Sequence, residues 1–138
     1  MAVWKKIGCA VDGSPESLEA LRSAAQLARQ TGAELVLVHV ESQGDASLAP
    51  SPDRQRDPAV QARLDQWIEL ATRLSGAPAR LELGWGPAGP EIVAFVLRES
   101  IDLLVLGAKP NRGGTMAIGT LAQVIPHAPC ALLLVREP

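Results

Sequence analysis

Four glycines in one short stretch are the residues of this chain best suited to holding a charged ligand. Gly107 ends an unbroken apolar run, and Gly113, Gly114 and Gly119 follow before a short helical pattern begins. Glycine lets backbone N–H groups approach a ligand closely, and a helix N-terminus favours negative charge. The stretch is therefore either a phosphate cradle or a plain glycine-rich connection, because such loops are common in α/β folds.

A second glycine pattern, G-x-G-x-x-G over residues 84–89, is typical of a dinucleotide fingerprint. It follows the strand that we predict at the sheet edge, away from the expected ligand site, and Pro87 removes a backbone donor. A structural turn before a proline-started helix is the favoured interpretation. The chain has no Walker loop.

The remaining titratable residues give no catalytic pattern. His39 and His127 lack a neighbour with metal-ligand spacing or a nucleophile, so both are interpreted as structural. Ser14 and Ser17 are interpreted as helix caps. The carboxylates of Glu91 and Glu99 are interpreted as ordinary solvated charges. We therefore predict no catalytic residue and no metal site.

Five apolar runs separated by helical patterns must position these residues. Unbroken runs predict buried strands, whereas the third run alternates and so predicts a strand with one face in water. Proline and N-cap residues start the helices, and glycine ends the first two. The predicted strands are 4–11, 34–40, 80–85, 102–108 and 130–135; the predicted helices start at Pro15 and at Pro58 after an Asp57 cap, and span Pro90–Ser100 and Gly119–Ile125.

This alternation of elements predicts an α/β fold with an open five-stranded parallel sheet and helices on both faces. The alternating third strand fits an edge, which gives the strand order 3-2-1-4-5. Ligands in such sheets bind where the winding reverses, here between strands 1 and 4. The carboxyl ends of those strands carry Asp12 and Gly107. Asp12 either accepts hydrogen bonds from a ribose or only orders the turn before Ser14.

Composition narrows the class of protein. The chain has 138 residues, of which 47% are hydrophobic, and a formal charge of −2, with a pI near 5.7. We predict one domain over residues 1–138, with no nucleic-acid surface, no membrane span and a cytoplasmic location. Residues 41–57 are predicted as a loop.

Cys9 and Cys130 fall two strands apart in the predicted order. At about 4.8 Å per strand they are separated by roughly 9.5 Å, which is too far for a disulfide, so we expect both to be free thiols.

Several segments together resemble the universal stress protein family, across essentially the whole chain. They are residues 10–17, 35–40, 86–88 with Ile92, 102–107 and 127–130. The resemblance implies a small cytoplasmic protein of Rossmann-like fold, usually dimeric, whose nucleotide-binding members hold ATP or AMP. It further implies that Ala10 and Val11 line the adenine side, that Asp12 contacts the ribose and that the Val40 backbone meets adenine. Magnesium would enter only through nucleotide phosphates.

The phosphate loop departs from the family's pattern, G-x2-G-x9-G-[ST]. Gly107 fits the first position, but Pro110 occupies the second, and Gly119-Thr120 comes one residue early. Pro110 removes an N–H donor, for which Arg112, Gly113 and Gly114 are the candidate replacements. Three functions stay open: an adenine-nucleotide sensor that acts through a protein partner, a nucleotide-free dimerisation module of the same fold, and at most a slow ATP hydrolase, for which the sequence offers no base or metal ligand.

The last strand predicts how the chain assembles. Residues 131–135 are continuously apolar, without proline or charge, and strand 5 lies at a sheet edge in the predicted order. An uncovered edge of that composition promotes aggregation. Pairing with the same edge of a second copy solves this in a closed assembly, so we predict a homodimer through Ala131 to Val135. The alternative is that a helix or the three-residue tail 136–138 shields the edge.

Overall fold

Strands and helices alternate along the chain in a computed structural model, which describes residues 3–41, 58–108 and 119–137. The strands are β1 (Lys6–Ala10), β2 (Glu34–Glu41), β3 (Arg80–Trp85), β4 (Leu103–Gly107) and β5 (Ala131–Val135). The helices are α1 (Pro15–Thr31), α2 (Pro58–Ser75), α3 (Ala88–Glu99) and α4 (Gly119–Val124).

The strands form one parallel sheet in the order β3-β2-β1-β4-β5, as the sequence predicts. The α/β class with helices on both faces is confirmed with it. The outer strand β3 is only partly buried along most of its length, which its alternating sequence indicates. By contrast, the residues of β2 from Leu35 to His39 are all buried.

Two apolar cores, one on each face, hold the sheet between its helices. Ile7, Leu37 and Val105 pack with α1 and α2 on one face. On the other face, Leu104 packs with α3 and α4 around Phe95, which is fully buried. Alternate residues of one strand thus serve opposite cores, and each connecting helix is placed by the face that its apolar stripe covers.

Some sequence predictions need correction at element ends. The first strand begins at Lys6 rather than Trp4. Helix α3 begins at Ala88, two residues before the predicted Pro90, with Pro87 as its N-cap. Pro90 is tolerated in the first turn because the N–H that it lacks has no helical partner there. Asp57, the predicted cap of α2, lies outside the described residues.

Glu99 is not the solvated charge that the sequence suggests. Its side chain is only 13% exposed and lies 2.5 Å from Arg80 Nη1 and 3.8 Å from Lys6 Nζ. The hydrogen bond from Arg80 holds the pKa of this carboxyl below its usual range, against the opposing effect of partial desolvation. Helix α3 ends beside the amino ends of the strands, and this packing brings the three charges together.

The two cysteines are free thiols, as predicted. Cys9 is fully buried, and desolvation raises the pKa of its thiol far above the usual value. Within the three described ranges, no helix combines the length and the apolar character needed to cross a membrane.

Candidate functional site

A cavity of about 320 Å³ lies between the carboxyl ends of β1 and β4. The chain after β1 enters α1, which packs on one face of the sheet, whereas the helix that follows β4, α4, packs on the other face. The connections therefore diverge at this point and leave a crevice, as expected where the winding of a parallel sheet reverses. The walls are formed by Ala10, Val11, Asp12, Ser14, Glu16, Ser17, Val38, Val40, Ala88, Ile92, Leu106, Gly107, Thr120 and Leu121.

One end of the cavity is apolar and suits a flat, uncharged ring. Val38 and Val40 come from β2 and Leu106 from β4, while Ala88 and Ile92 come from the first turn and a half of α3. Ala88 belongs to the glycine pattern 84–89, which the sequence interpretation placed away from the site. That placement is wrong for Ala88, because α3 runs back over the sheet and brings its first turn to the cavity.

Asp12 stands exposed at the polar end of the cavity, directly after β1. Its Oδ1 accepts hydrogen bonds from Ser14 N at 2.9 Å and from Ser14 Oγ at 2.5 Å. Desolvation by the surrounding atoms would raise the pKa of this carboxyl, but hydrogen bonds from Ser14 and Ser17 and the nearby His39 outweigh it and lower the pKa. Asp12 is thus a carboxylate at neutral pH that both orders its turn and lines the cavity.

Gly107 brings β4 into very close contact with the start of α1. A Cβ at this position would lie 2.6 Å from the backbone carbonyl carbon and oxygen of Glu16 and 2.7 Å from Ser17 N. Real Cβ atoms do not approach backbone so closely, so only glycine permits this packing. The absence of a side chain at Gly107 is therefore explained by helix packing without any ligand.

His39 is buried and contacts the backbone of Val11, a residue of the cavity wall. Its Nδ1 lies 2.7 Å from Val11 O, and because a carbonyl only accepts, Nδ1 carries the donated hydrogen. Its Nε2 lies 2.9 Å from Glu41 Oε1, and the ring meets Trp67 edge-on at 5.3 Å. These contacts give His39 the structural role that the sequence indicates, with one consequence for the site: it positions a wall residue.

Most of the predicted site residues meet at this one cavity. Ala10, Val11, Asp12, Val40, Gly107 and Thr120 all line it. Gly119 is the first residue of α4, next to Thr120. Arg112, Gly113 and Gly114 lie outside the described residues. Among the residues that the structure describes, no group of three or more His, Cys, Asp or Glu side chains is arranged to hold a metal ion.

The sequence interpretation missed several wall residues. Ser14 and Ser17 were assigned only to the capping of α1, and the capping itself is confirmed, because Ser14 Oγ accepts from Ser17 N at 3.3 Å. Glu16, in the first turn of α1, was not assigned to the site. The available signal was their position directly after Asp12, which forces the first turn of α1 to border the same crevice. The apolar residues Val38, Ile92, Leu106 and Leu121 had no such signal, since their sequence pattern indicates only burial.

Comparison with known proteins agrees with the fold. The sequence profile described as the universal stress protein family matches residues 4–136. A universal stress protein of Methanocaldococcus jannaschii is 28% identical to this chain in an alignment 153 positions long. The alignment covers 99% of this chain and 84% of that protein. The crystal structure of a universal stress protein in complex with cAMP superimposes with a TM-score of 0.75 at 19% identity, covering 98% of each chain. The structure of the universal stress protein from Archaeoglobus fulgidus in complex with dAMP superimposes with a TM-score of 0.65 at 24% identity, covering 96% of this chain and 98% of that one.

Proposed function

This chain belongs to the universal stress protein family, and from that premise we propose that it binds an adenine nucleotide between β1 and β4. The observation that carries the proposal is the cavity at the reversal of winding, which joins an apolar end to a polar end bearing Asp12. The base would lie among the valines and Ile92, and the ribose hydroxyls would donate to Asp12. Two structural neighbours are complexes with adenine nucleotides, cAMP in one and dAMP in the other.

The proposed role is that of a stress-response sensor or regulator that acts through a protein partner rather than by catalysis. ATP or AMP would be the bound species, with Mg²⁺ only through its phosphates. We propose a homodimer through β5, supported by the position of that strand at the end of the sheet and by the 40% exposure of Leu134. We further propose one domain over residues 1–138 and a cytoplasmic location, which suits a buried free thiol at Cys9.

A second candidate function is a dimerisation module that holds no nucleotide. Two observations favour it: Pro110 replaces a glycine of the family's phosphate loop, and Asp12 Oδ1 already accepts two hydrogen bonds from Ser14. In that case the cavity would be a consequence of the topology alone.

Mass spectrometry of the purified, undenatured protein distinguishes the two candidates by detecting any nucleotide that it carries. Titration calorimetry then tests the site itself. We expect Asp12→Ala to weaken adenine-nucleotide affinity by about 1.5–3 kcal/mol, the usual size of a hydrogen bond to a charged group. Asp12→Asn is the matched variant, because the amide keeps an acceptor for Ser14 and removes the charge. Unchanged affinity in Asp12→Ala would show that this carboxylate only orders its turn.

A further inference from the structure

His39 faces a hydrogen-bond acceptor at each of its two ring nitrogens. Nδ1 lies 2.7 Å from the backbone oxygen of Val11, and Nε2 lies 2.9 Å from Glu41 Oε1. A neutral imidazole carries one hydrogen and can donate to only one of these oxygens. The Glu41 side chain is 33% exposed, so water reaches its carboxylate and favours the ionised form, which only accepts. Both contacts are therefore satisfied together only when each ring nitrogen carries a hydrogen.

The surroundings of His39 fit a positively charged ring. The residue is 8% exposed, and a buried charge is tolerated where it is paired and hydrogen-bonded, as the contact with Glu41 provides. Helix α2 presents the uncharged Trp67 ring to the imidazole, and Arg63 of the same helix stacks on that Trp67 ring. The carboxylate of Asp12, directly after β1, is close enough for His39 to help lower its pKa. The carboxylate that contacts the imidazole directly is that of Glu41.

A continuous chain of hydrogen bonds leads from this ring to the cavity wall. The Val11 oxygen that His39 contacts belongs to the same peptide group as the backbone nitrogen of Asp12. That nitrogen donates to Ser17 Oγ at 3.2 Å, and Ser17 Oγ in turn donates to Ser14 O at 3.0 Å. Every donor in the chain points the same way, from His39 towards the turn that starts α1, and hydrogen bonds arranged in this way polarise one another. Asp12, Ser14 and Ser17 all line the cavity.

We propose that His39 carries a hydrogen on both ring nitrogens and acts as a positioning residue, linking the protonation of the ring at Glu41 to the hydrogen bonds of the cavity turn. The doubly protonated ring is a cation, so its bond to Val11 O is charge-assisted and stronger than a neutral one. When the Nε2 proton passes to solvent, the lone pair left on that nitrogen faces the Glu41 carboxylate and repels it, and the bond to Val11 O weakens. The turn that bears Asp12 is then held less tightly. This inference goes beyond the proposed adenine binding and does not depend on it.

Nitrogen NMR of the full chain at neutral pH reads the protonation of the ring directly. An imidazole with two hydrogens gives two similar nitrogen shifts, whereas a neutral ring gives two widely separated ones. The chain has two histidines, so the variant His127→Gln, at an exposed position, leaves only the signals of His39. We expect these to show the pattern of the doubly protonated ring. Two widely separated shifts for His39 would overturn the proposal.

Glu41→Gln tests the partner of the ring, because it keeps the shape of the side chain and removes its charge. The new amide can donate to an unprotonated Nε2, so we expect His39 to lose its second hydrogen at neutral pH. Glu34→Gln is the matched control, since Glu34 lies at the other end of β2 and pairs with Lys6 and Arg80. It should leave the His39 shifts as in wild type. A ring that stays doubly protonated in Glu41→Gln, or that becomes neutral in both variants, would contradict the role of Glu41.

The link to the cavity turn is tested in the wild-type chain, where no substitution can disturb folding. As pH is raised until the His39 ring loses its second hydrogen, the amide nitrogen shift of Asp12 should move with the same midpoint. The amide of Gly32, which bonds to Ala28 O at the far end of α1, should not follow it. An Asp12 amide shift that stays constant through the ring titration would overturn the coupling. No ligand enters these measurements, so their failure would leave the adenine-binding proposal to be decided by calorimetry.

Discussion

Gly107→Ala is the substitution whose effect follows most directly from the geometry. The added Cβ would lie 2.6 Å from the carbonyl carbon and oxygen of Glu16, far inside ordinary van der Waals contact. The atoms that it meets belong to backbone, so no side chain can rotate away and the first turn of α1 must move. Overpacking of this kind typically costs about 1–3 kcal/mol. We expect the upper part of that range, about 2–3 kcal/mol in the free energy of unfolding.

Chemical denaturation and thermal melting measure this loss. For a chain of this size, roughly 3–4 °C in Tm accompanies each kcal/mol, so the melting temperature should fall by about 6–12 °C. Gly84→Ala is the matched control in another strand. There the nearest atoms are Glu91 Oε2 at 3.2 Å and Val40 Cγ2 at 3.3 Å, and the glutamate side chain can swing aside. We expect Gly84→Ala to cost less than about 1 kcal/mol.

The comparison decides why residue 107 is glycine. Helix packing predicts a large loss of stability in Gly107→Ala without any ligand present. If the glycine served only the close approach of a ligand, the variant would keep its stability and lose binding. A loss in Gly107→Ala equal to or smaller than that in Gly84→Ala would refute the packing explanation.

Two other perturbations test the ion cluster and the exposed strand edge. The Arg80 hydrogen bond lowers the pKa of Glu99 in the folded protein. The ionised Glu99 therefore stabilises the fold above the usual glutamate pKa of about 4.3, and this stabilisation is lost as pH falls through the lower folded-state pKa. Urea denaturation between pH 6 and pH 3 should therefore show a smaller acid-induced loss in Glu99→Gln than in wild type, and parallel losses would contradict the assignment. Leu134→Lys should convert dimers to monomers in sedimentation velocity, since Leu134 is 40% exposed; Leu133 packs against the core and would report unfolding instead. A wild-type chain that sediments as a monomer at micromolar concentration would end the β5 dimer proposal.

The types of elements and their order in the sheet could be predicted from the sequence because they depend on local patterns. Unbroken apolar runs indicate strands buried on both faces, and the alternation from Arg80 to Trp85 indicates an edge strand. Pro15 and Ser14 mark the start of α1, and Gly32 marks its end. The strand order 3-2-1-4-5 places the carboxyl ends of strands 1 and 4 side by side, and this alone brings Asp12 and Gly107 to one crevice.

The distances between elements were decided only by the tertiary structure. The packing of α3 on its face of the sheet brings Ala88 to the cavity and Glu99 to Arg80, and nothing local at those residues specifies either contact. The sequence suggested that Gly107 is a glycine because it faces a ligand, whereas the close packing of α1 against β4 is what requires a glycine there. The same packing places Glu16 on the cavity wall. Local sequence determines the conformation and the buried face of each element, but how closely two elements approach depends on filling both cores of the sheet at once.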